Sequence, residues 1–191
     1  MKILLTGFEP FGGVSYNPSW DCLEKLEAPE GISLCKLRLP VTFGGAPEKL
    51  KEVLEQEQPD AVFCLGLAAA REKITPEIIA INLAHGRIPD NDGYQPQKAP
   101  LIPGGPDGLF ATLPVFDLVK ALEGSGIPAQ VSYTAGAYVC NCIMYHLMTW
   151  ATPRSIPAGF IHVPDTDKMP LEAITLGIEK MLVYLRDHRH A

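Results

Sequence analysis

The sequence lacks a hydrophobic run long enough to cross a bilayer, which would need roughly eighteen apolar residues. Residues 1–7 carry an apolar run that is also too short for the core of a signal peptide. Apolar residues make up 47% of the chain and charged residues 20%, the proportions of an ordinary globular protein. We therefore expect a soluble protein that is neither exported nor bound to a membrane.

Basic clusters and paired cysteines are scarce as well. The formal net charge is −6, and the one basic run is the short, broken segment 186–190, so nucleic-acid binding is not expected. The five cysteines are an odd number, scattered along a chain large enough to fold without disulfides. This pattern favours reduced thiols and a cytoplasmic location.

Buried apolar segments alternate with amphipathic ones along the chain, and we see no repeat and no domain boundary. Residues 86–108 are rich in proline and glycine and are expected to form one long loop, a length that is usually functional or interfacial. The pattern predicts strands at 2–6, 32–39, 61–66, 129–133 and 159–163, an extended segment at 74–83, and helices at 18–26, 45–58, 114–122, 138–150 and 171–189. This alternation predicts an α/β fold: a single domain, 1–191, built as a three-layer α/β/α sandwich around a mostly parallel sheet.

Four segments follow predicted strands and carry side chains suited to chemistry: 7–13, 66–71, 134–140 and 162–164. In open α/β sheets, ligands bind outside the carboxyl ends of the strands. If the strands are parallel, these segments meet at one edge. A thiol, an imidazole, two arginines and two phenylalanines would then share a cleft.

Cys140 lies after a glycine-containing turn, at the start of a predicted helix. The unpaired N–H groups and about half a positive charge at a helix start favour a thiolate and can bind an oxyanion. The alternative is a buried structural cysteine, the commoner kind. Cys142 would point to another side of the helix, and a Cys-x-Cys pair without a further nearby ligand is a weak metal signal.

His162 and Glu77 are the other candidates. His162 ends a short strand, where it either faces the cleft or is held by loop backbone. Glu77 stands among apolar residues; it is either a solvated residue at a strand edge or a buried carboxylate that needs an imidazolium or an arginine as partner.

Residues 7–13 follow the first strand but lack the G-x-G-x-x-G spacing of a dinucleotide site. Phe8 and Phe11 would also obstruct the approach of a pyrophosphate to the backbone. They suit a small apolar pocket, or simply packing onto the next helix. Glu9, the acid between them, is expected to point away.

Together, several segments resemble the pyroglutamyl peptidase I (pyrrolidone carboxyl peptidase) family, in family order and over essentially the whole chain. They are 6–13 with 17–19, 74–77, 87–93, 133–136 with 139–141, and 159–164. The resemblance implies Cys140 as nucleophile, His162 as general base and acid, and Glu77 as the carboxylate that orients the imidazole.

The resemblance also assigns the pocket. Phe8 and Phe11 match residues that flank the lactam ring, Arg87 matches an arginine of the oxyanion region, and Leu67 belongs to the same substrate-binding group. No metal or other cofactor is implied.

The implied function is that of a cysteine exopeptidase, an omega peptidase, that hydrolyses the bond after an N-terminal pyroglutamyl residue through a thioester. Its partners would be peptides with that terminus and further copies of the chain, as a tetramer or dimer in the cytoplasm. A thiol amidase with another substrate, or a non-catalytic binding protein with the same fold, would be the alternatives.

The chain departs from the family pattern at two places. Alanines at 68–70 replace glycines often seen before Arg71, and only residues 165–170 separate the segment 162–164 from the last helix, where a longer insertion is usual. We therefore expect a different cleft rim and different subunit contacts.

Overall fold

The computed structural model describes residues 1–188, and its centre is a five-stranded sheet in the order β2-β1-β3-β7-β4. β1, β2, β3 and β7 are parallel neighbours, and the two-residue β4 runs antiparallel to β7. β5 and β6 pair antiparallel in a second, small sheet. The strands are β1 (Lys2–Phe8), β2 (Ser33–Leu39), β3 (Ala61–Leu67), β4 (Thr75–Pro76), β5 (Ile79–Ile81), β6 (Gly108–Phe110) and β7 (Ala158–Val163).

Helices cover both faces of the sheet, so the central strands are apolar on both sides. Leu4 belongs to one hydrophobic cluster, shared with α2 and α4, whereas Ile3 and Leu5 belong to another, shared with α1, α3 and α5. The predicted three-layer α/β/α architecture with a mostly parallel sheet is therefore confirmed. The helices are α1 (Pro18–Lys25), α2 (Gly45–Glu57), α3 (Val115–Gly124), α4 (Val139–Ala151) and α5 (Leu171–Asp187), with a 3₁₀ turn at Thr152–Arg154.

The predicted strand 129–133 is wrong as a continuous element. The segment lies alongside residues 74–78, but it forms only two isolated parallel bridges, Ile74 to Ala129 and Glu77 to Ser132. The backbone N–H of Ile74 donates to the carbonyl of Pro128, just before this segment, and that of Ile78 donates to the carbonyl of Ser132. Pro76, between them, has no N–H to donate, so the ladder is interrupted.

Two helix ends also differ from the predictions. Helix α3 continues through Gly124 and is followed by Gly126, which adopts a positive φ of 76° that suits glycine. Helix α5 ends at Asp187, and the predicted end at residue 189 lies outside the described residues. The predicted extended segment 74–83 is two short strands, β4 and β5, and Glu77 lies between them.

The long loop 86–108 is irregular up to Asp107, and only its last residue belongs to β6. Within residues 1–188, no helix combines the length and apolarity that crossing a membrane requires.

Candidate active site

The carboxyl ends of the parallel strands form one edge of the sheet, as the sequence predicts. Phe8 ends β1, Leu67 ends β3, and His162 is next to last in β7. The register of β3 and β7 sets Gly66 opposite His162. Helix α4 begins at this edge, with Cys140 as its second residue.

Glu77 and His162 form a buried pair. The Nδ1 atom of His162 lies 2.7 Å from Oε1 of Glu77, and Glu77 is fully buried. The backbone N–H of Glu77 donates to the carbonyl of Phe160, and Thr75 is the register partner of His162. Donation from Nδ1–H to the carboxylate leaves Nε2 as the imidazole atom that can accept a proton.

Arg71 is a second partner of the same carboxylate oxygen. Its Nη1 lies 2.7 Å from Oε1 of Glu77, and it also donates to Oγ1 of Thr75. Its Nη2 reaches the carbonyl of Thr134 at 3.4 Å. The sequence predicts that a buried Glu77 needs an arginine or an imidazolium as partner. In the structure Arg71 is the cationic partner, and His162 is a second hydrogen-bond donor to the same oxygen.

Cys140 lies directly over Gly66. A Cβ atom on that glycine would come within 3.0 Å of Sγ of Cys140 and within 2.7 Å of the ring of Phe160. Because Gly66 pairs with His162 across the strands, the thiol and the imidazole occupy the same face at the same end of the sheet. The cysteine residue is partly exposed.

Both ionisable groups that would exchange a proton are neutral at rest. Burial, together with the negative charge of Glu77, raises the pKa of Cys140 to about 12, and the positive charge of Arg71 opposes this rise. Burial also lowers the pKa of His162 below its usual 6.5, against the opposing effect of Glu77. The helix start therefore does not outweigh desolvation, contrary to the expectation of a resting thiolate.

Cys140 opens into a cleft of about 470 Å³. The residues predicted to bind substrate, namely Phe8, Phe11, Leu67 and Arg87, all line it. The remaining lining residues are Val14, Tyr16, Asn17, Val41, Ala69, Tyr138, Val139 and Asp165.

The ring of Phe11 lies 5.7 Å from that of Tyr138, whose hydroxyl donates to the carbonyl of Pro89. An aromatic wall thus stands between the first loop and the start of α4.

At the rim of the cleft, the hydroxyl of Tyr16 donates a hydrogen bond to Oδ1 of Asp165 at 2.9 Å. The short segment 165–170 turns back at once, because its residues Lys168 and Met169 donate to the carbonyl of Asp165. Glu9 points away from the cleft, toward the backbone N–H of Val41 and the side chain of Asn91. Asp165, which the sequence reasoning did not consider, is the acid at the rim.

Asn141 was also missed as a contributor. It is fully buried; its Nδ2 donates to the carbonyls of Ile81 and Leu83, and its Oδ1 accepts from the N–H of Ile81. These hydrogen bonds join the start of α4, beside Cys140, to residues 81–83, which follow Glu77 in the chain. The sequence signal that could have identified Asn141 is its position directly after Cys140 in the matching segment 139–141.

Cys142 lies on the opposite side of the helix start, buried, with Sγ 3.7 Å from the carbonyl of Phe43. Within the described part of the chain, no three His, Cys, Asp or Glu side chains are grouped so that they could hold a metal ion.

A thiol at a helix start, an imidazole at the same end and face of the sheet, and a carboxylate on Nδ1 of that imidazole form the arrangement used by cysteine hydrolases. The family model described as pyroglutamyl peptidase matches residues 1–185, and the chain belongs to this family.

Relatives and a solved structure are similar to this chain over nearly its full length. The chain is 45% identical to the pyrrolidone-carboxylate peptidase of Enterococcus faecalis, over 95% of this chain and 92% of that protein. It is 46% identical to the one from Thermococcus kodakarensis, over 94% and 93%. The crystal structure of pyroglutamyl peptidase I from Bacillus amyloliquefaciens superposes with a TM-score of 0.93 at 39% identity, covering 98% of this chain and 97% of that one.

Proposed function

We propose that this protein is a thiol-dependent pyroglutamyl peptidase that removes an N-terminal pyroglutamyl residue from peptides. The observation that carries the proposal is the buried Glu77–His162 pair behind a thiol that opens into an apolar cleft. Membership of the family supplies the substrate class, and the cleft is compatible with it.

The first half of the reaction would form a thioester. As Sγ of Cys140 attacks the carbonyl carbon after the lactam ring, its proton passes to Nε2 of His162. No side chain of the described residues caps α4 at Tyr138, so first-turn N–H groups can donate to the developing oxyanion. Arg87, exposed at the cleft, is proposed to assist.

The second half would return the enzyme to rest. The imidazolium of His162 gives its proton to the departing amine, which leaves as the new N-terminus of the shortened peptide. Neutral His162 then takes a proton from water as that water attacks the thioester carbonyl. The bond to Sγ breaks, the imidazolium returns its proton to the departing thiolate, and pyroglutamic acid and the thiol of Cys140 are released. Glu77 would hold the tautomer throughout.

The apolar cleft suits a terminus without an ammonium group. A pyroglutamyl end is neutral, so an aromatic wall built from Phe8, Phe11 and Tyr138 can accept it without burying an unpaired charge. This would admit peptides that ordinary aminopeptidases cannot process.

The test is hydrolysis of a pyroglutamyl anilide by the wild type, by Cys140→Ala and by Cys142→Ala. We expect turnover in the wild type, none in Cys140→Ala, and most of the wild-type rate in Cys142→Ala, because that thiol faces Phe43 rather than the cleft. A wild type that cleaves simple amides but not the pyroglutamyl anilide would replace the proposal by a thiol amidase. Absence of both activities would indicate a binding protein.

A cytoplasmic location and a homo-oligomer, tetramer or dimer, are part of the proposal. All five cysteines are free thiols, which suits a reducing compartment. Phe110 and Phe116 are large apolar side chains exposed outside the cleft, which a second copy could cover. Light scattering of the purified protein measures the assembly; a monomer at working concentration would contradict this part.

A further inference from the structure

The carboxylate of Glu77 has two donors on one oxygen and none on the other. Oε1 accepts from Nδ1 of His162 and from Nη1 of Arg71, each at 2.7 Å. Oε2 is buried and has no hydrogen-bond partner among the described residues. The orientation of the carboxylate therefore depends on these two contacts, and loss of either leaves it held by a single donor.

Arg71 connects three segments that build the site. It belongs to the loop after β3, donates to Thr75 on β4, and reaches the carbonyl of Thr134, in the loop that leads into α4. Its side chain is 31% exposed, whereas that of Glu77 is fully buried. The arginine thus brings a positive charge to a buried carboxylate while keeping part of its own hydration.

We propose that Arg71 is a positioning residue: its guanidinium holds the Glu77 carboxylate against His162 and sets the pH at which that imidazole can act as a base. The inference rests on the proposed function for its catalytic readout. A carboxylate alone would attract a proton onto the imidazole and make it a poor base at neutral pH. A cation bound to the same oxygen offsets that attraction without breaking the hydrogen bond that fixes the tautomer.

Among His162 and the two thiols and the phenol that lie near it, His162 is the group that changes its charge near neutral pH. Cys140 and Cys64 both have a pKa raised to about 12, chiefly by burial. Tyr138, before α4, has a pKa raised above 10, also by burial. The pKa of His162 is lowered by burial and by Arg71, against the opposing effect of Glu77.

The test compares pH profiles of kcat/KM for wild type, Arg71→Met, Arg71→Lys and Lys73→Met. In Arg71→Met, we expect the acid limb to move to higher pH by about one unit, since an opposing charge is lost. We also expect the plateau kcat to fall at least about tenfold, because Glu77 is no longer fixed. Arg71→Lys keeps the charge, so its acid limb should return toward that of wild type. Its plateau should stay reduced, because a single ammonium nitrogen lacks the planar fork by which Nη1 and Nη2 reach Glu77 and Thr134 separately.

Lys73→Met is the matched control, because Lys73 is exposed and loses the same charge two residues away. Its profile should match the wild type. An Arg71→Met profile that is lower at every pH with an unmoved limb would show a merely structural role and overturn the proposal. Should Arg71→Met fail to unfold cooperatively, Arg71→Gln removes the charge and can still donate to the carboxylate.

A second readout needs no peptide substrate. The rate at which iodoacetamide alkylates Cys140 is followed by mass spectrometry of the labelled peptide. Its pH dependence should shift to higher pH in Arg71→Met, because Arg71 lowers the pKa of both His162 and Cys140. Coinciding alkylation profiles in wild type and variant would overturn the proposal. A wild type that is alkylated at Cys140 but does not cleave pyroglutamyl anilide would contradict the proposed function and leave this comparison valid.

Discussion

At the scale of single residues, the centre of the candidate site is a buried carboxylate. Glu77 is fully buried, and its bond to His162 decides which ring nitrogen carries the proton. Because burial keeps the thiol of Cys140 neutral, the proposed mechanism needs an imidazole whose Nε2 faces that thiol. In that mechanism, the orientation of the proposed base His162 is as important as its presence.

Replacing Glu77 by Gln should lower kcat at least about tenfold and change KM little, because the orienting group acts mainly in the transition state. The amide keeps the size but can present its NH₂ group to Nδ1, which selects the wrong tautomer. Steady-state kinetics on pyroglutamyl anilide measure the effect, with the exposed Glu72→Gln as control. An unaltered kcat would remove Glu77 from its proposed role.

Truncating Phe11 should affect selectivity. Phe11→Ala is expected to cost about 1–3 kcal/mol in kcat/KM for the pyroglutamyl anilide, the scale of one apolar pocket contact. The wild type should cleave a prolyl anilide poorly, because its ammonium would lie against aromatic rings. Glu9 faces Val41 and Asn91, and the Asp165 carboxylate at the rim already accepts from the hydroxyl of Tyr16.

The control for Phe11→Ala is Leu176→Ala, an exposed apolar side chain on α5 outside the cleft. Equal cleavage of both anilides by wild type, or full activity in Phe11→Ala, would mean that the pocket is elsewhere.

At the scale of elements, the site is a contact between the end of β3 and the start of α4. Gly66 lets Cys140 and Phe160 approach the strand, and Asn141 joins α4 to the segment after Glu77. Close packing of this kind leaves little room for added atoms.

Gly66→Ala should therefore displace the thiol. A methyl group there would lie 2.7 Å from the ring of Phe160 and 3.0 Å from Sγ of Cys140. We expect kcat to fall at least about tenfold. The free energy of unfolding should fall by about 1–3 kcal/mol, the usual cost of overpacking a protein core. Gly44→Ala is the control, since its Cβ would meet no atom within 4 Å. Wild-type kcat in Gly66→Ala would refute the close contact.

At the scale of the whole molecule, two partly or fully buried histidines link stability to pH. Burial lowers the pKa of both His162 and His146, and Lys51 adds to the effect on His146. The unfolded chain therefore binds protons below about pH 6.5 that the folded chain does not bind. Stability from this source is complete above that pH and decreases as the pH falls below it.

We therefore expect the Tm of thermal unfolding to decrease as the pH is lowered from about 8 to about 5.5. This range lies above the pH at which carboxylates titrate. His146→Gln should reduce the slope, because one of the two linked groups is gone. A Tm that stays constant or rises as the pH falls through this range would contradict the assignment.

Much of the fold follows from local pattern. Continuous apolar runs such as 61–66 are buried on both faces of the sheet, and Asn17 with Pro18 begins α1 as predicted. The strand 129–133 could not be predicted reliably, because its pairing depends on Pro76, more than fifty positions earlier, and on the missing N–H of that proline.

The sequence by itself determined the candidate residues: a cysteine at a helix start, a histidine at a strand end, an acid among isoleucines, and two phenylalanines after the first strand. Residue type and local period carry that information. Only the tertiary structure decided that Arg71 shares an oxygen with His162, that Tyr16 closes the rim onto Asp165, and that burial keeps the thiol neutral. Such contacts join distant segments, and desolvation depends on everything that surrounds a group, so neither can be read from local pattern.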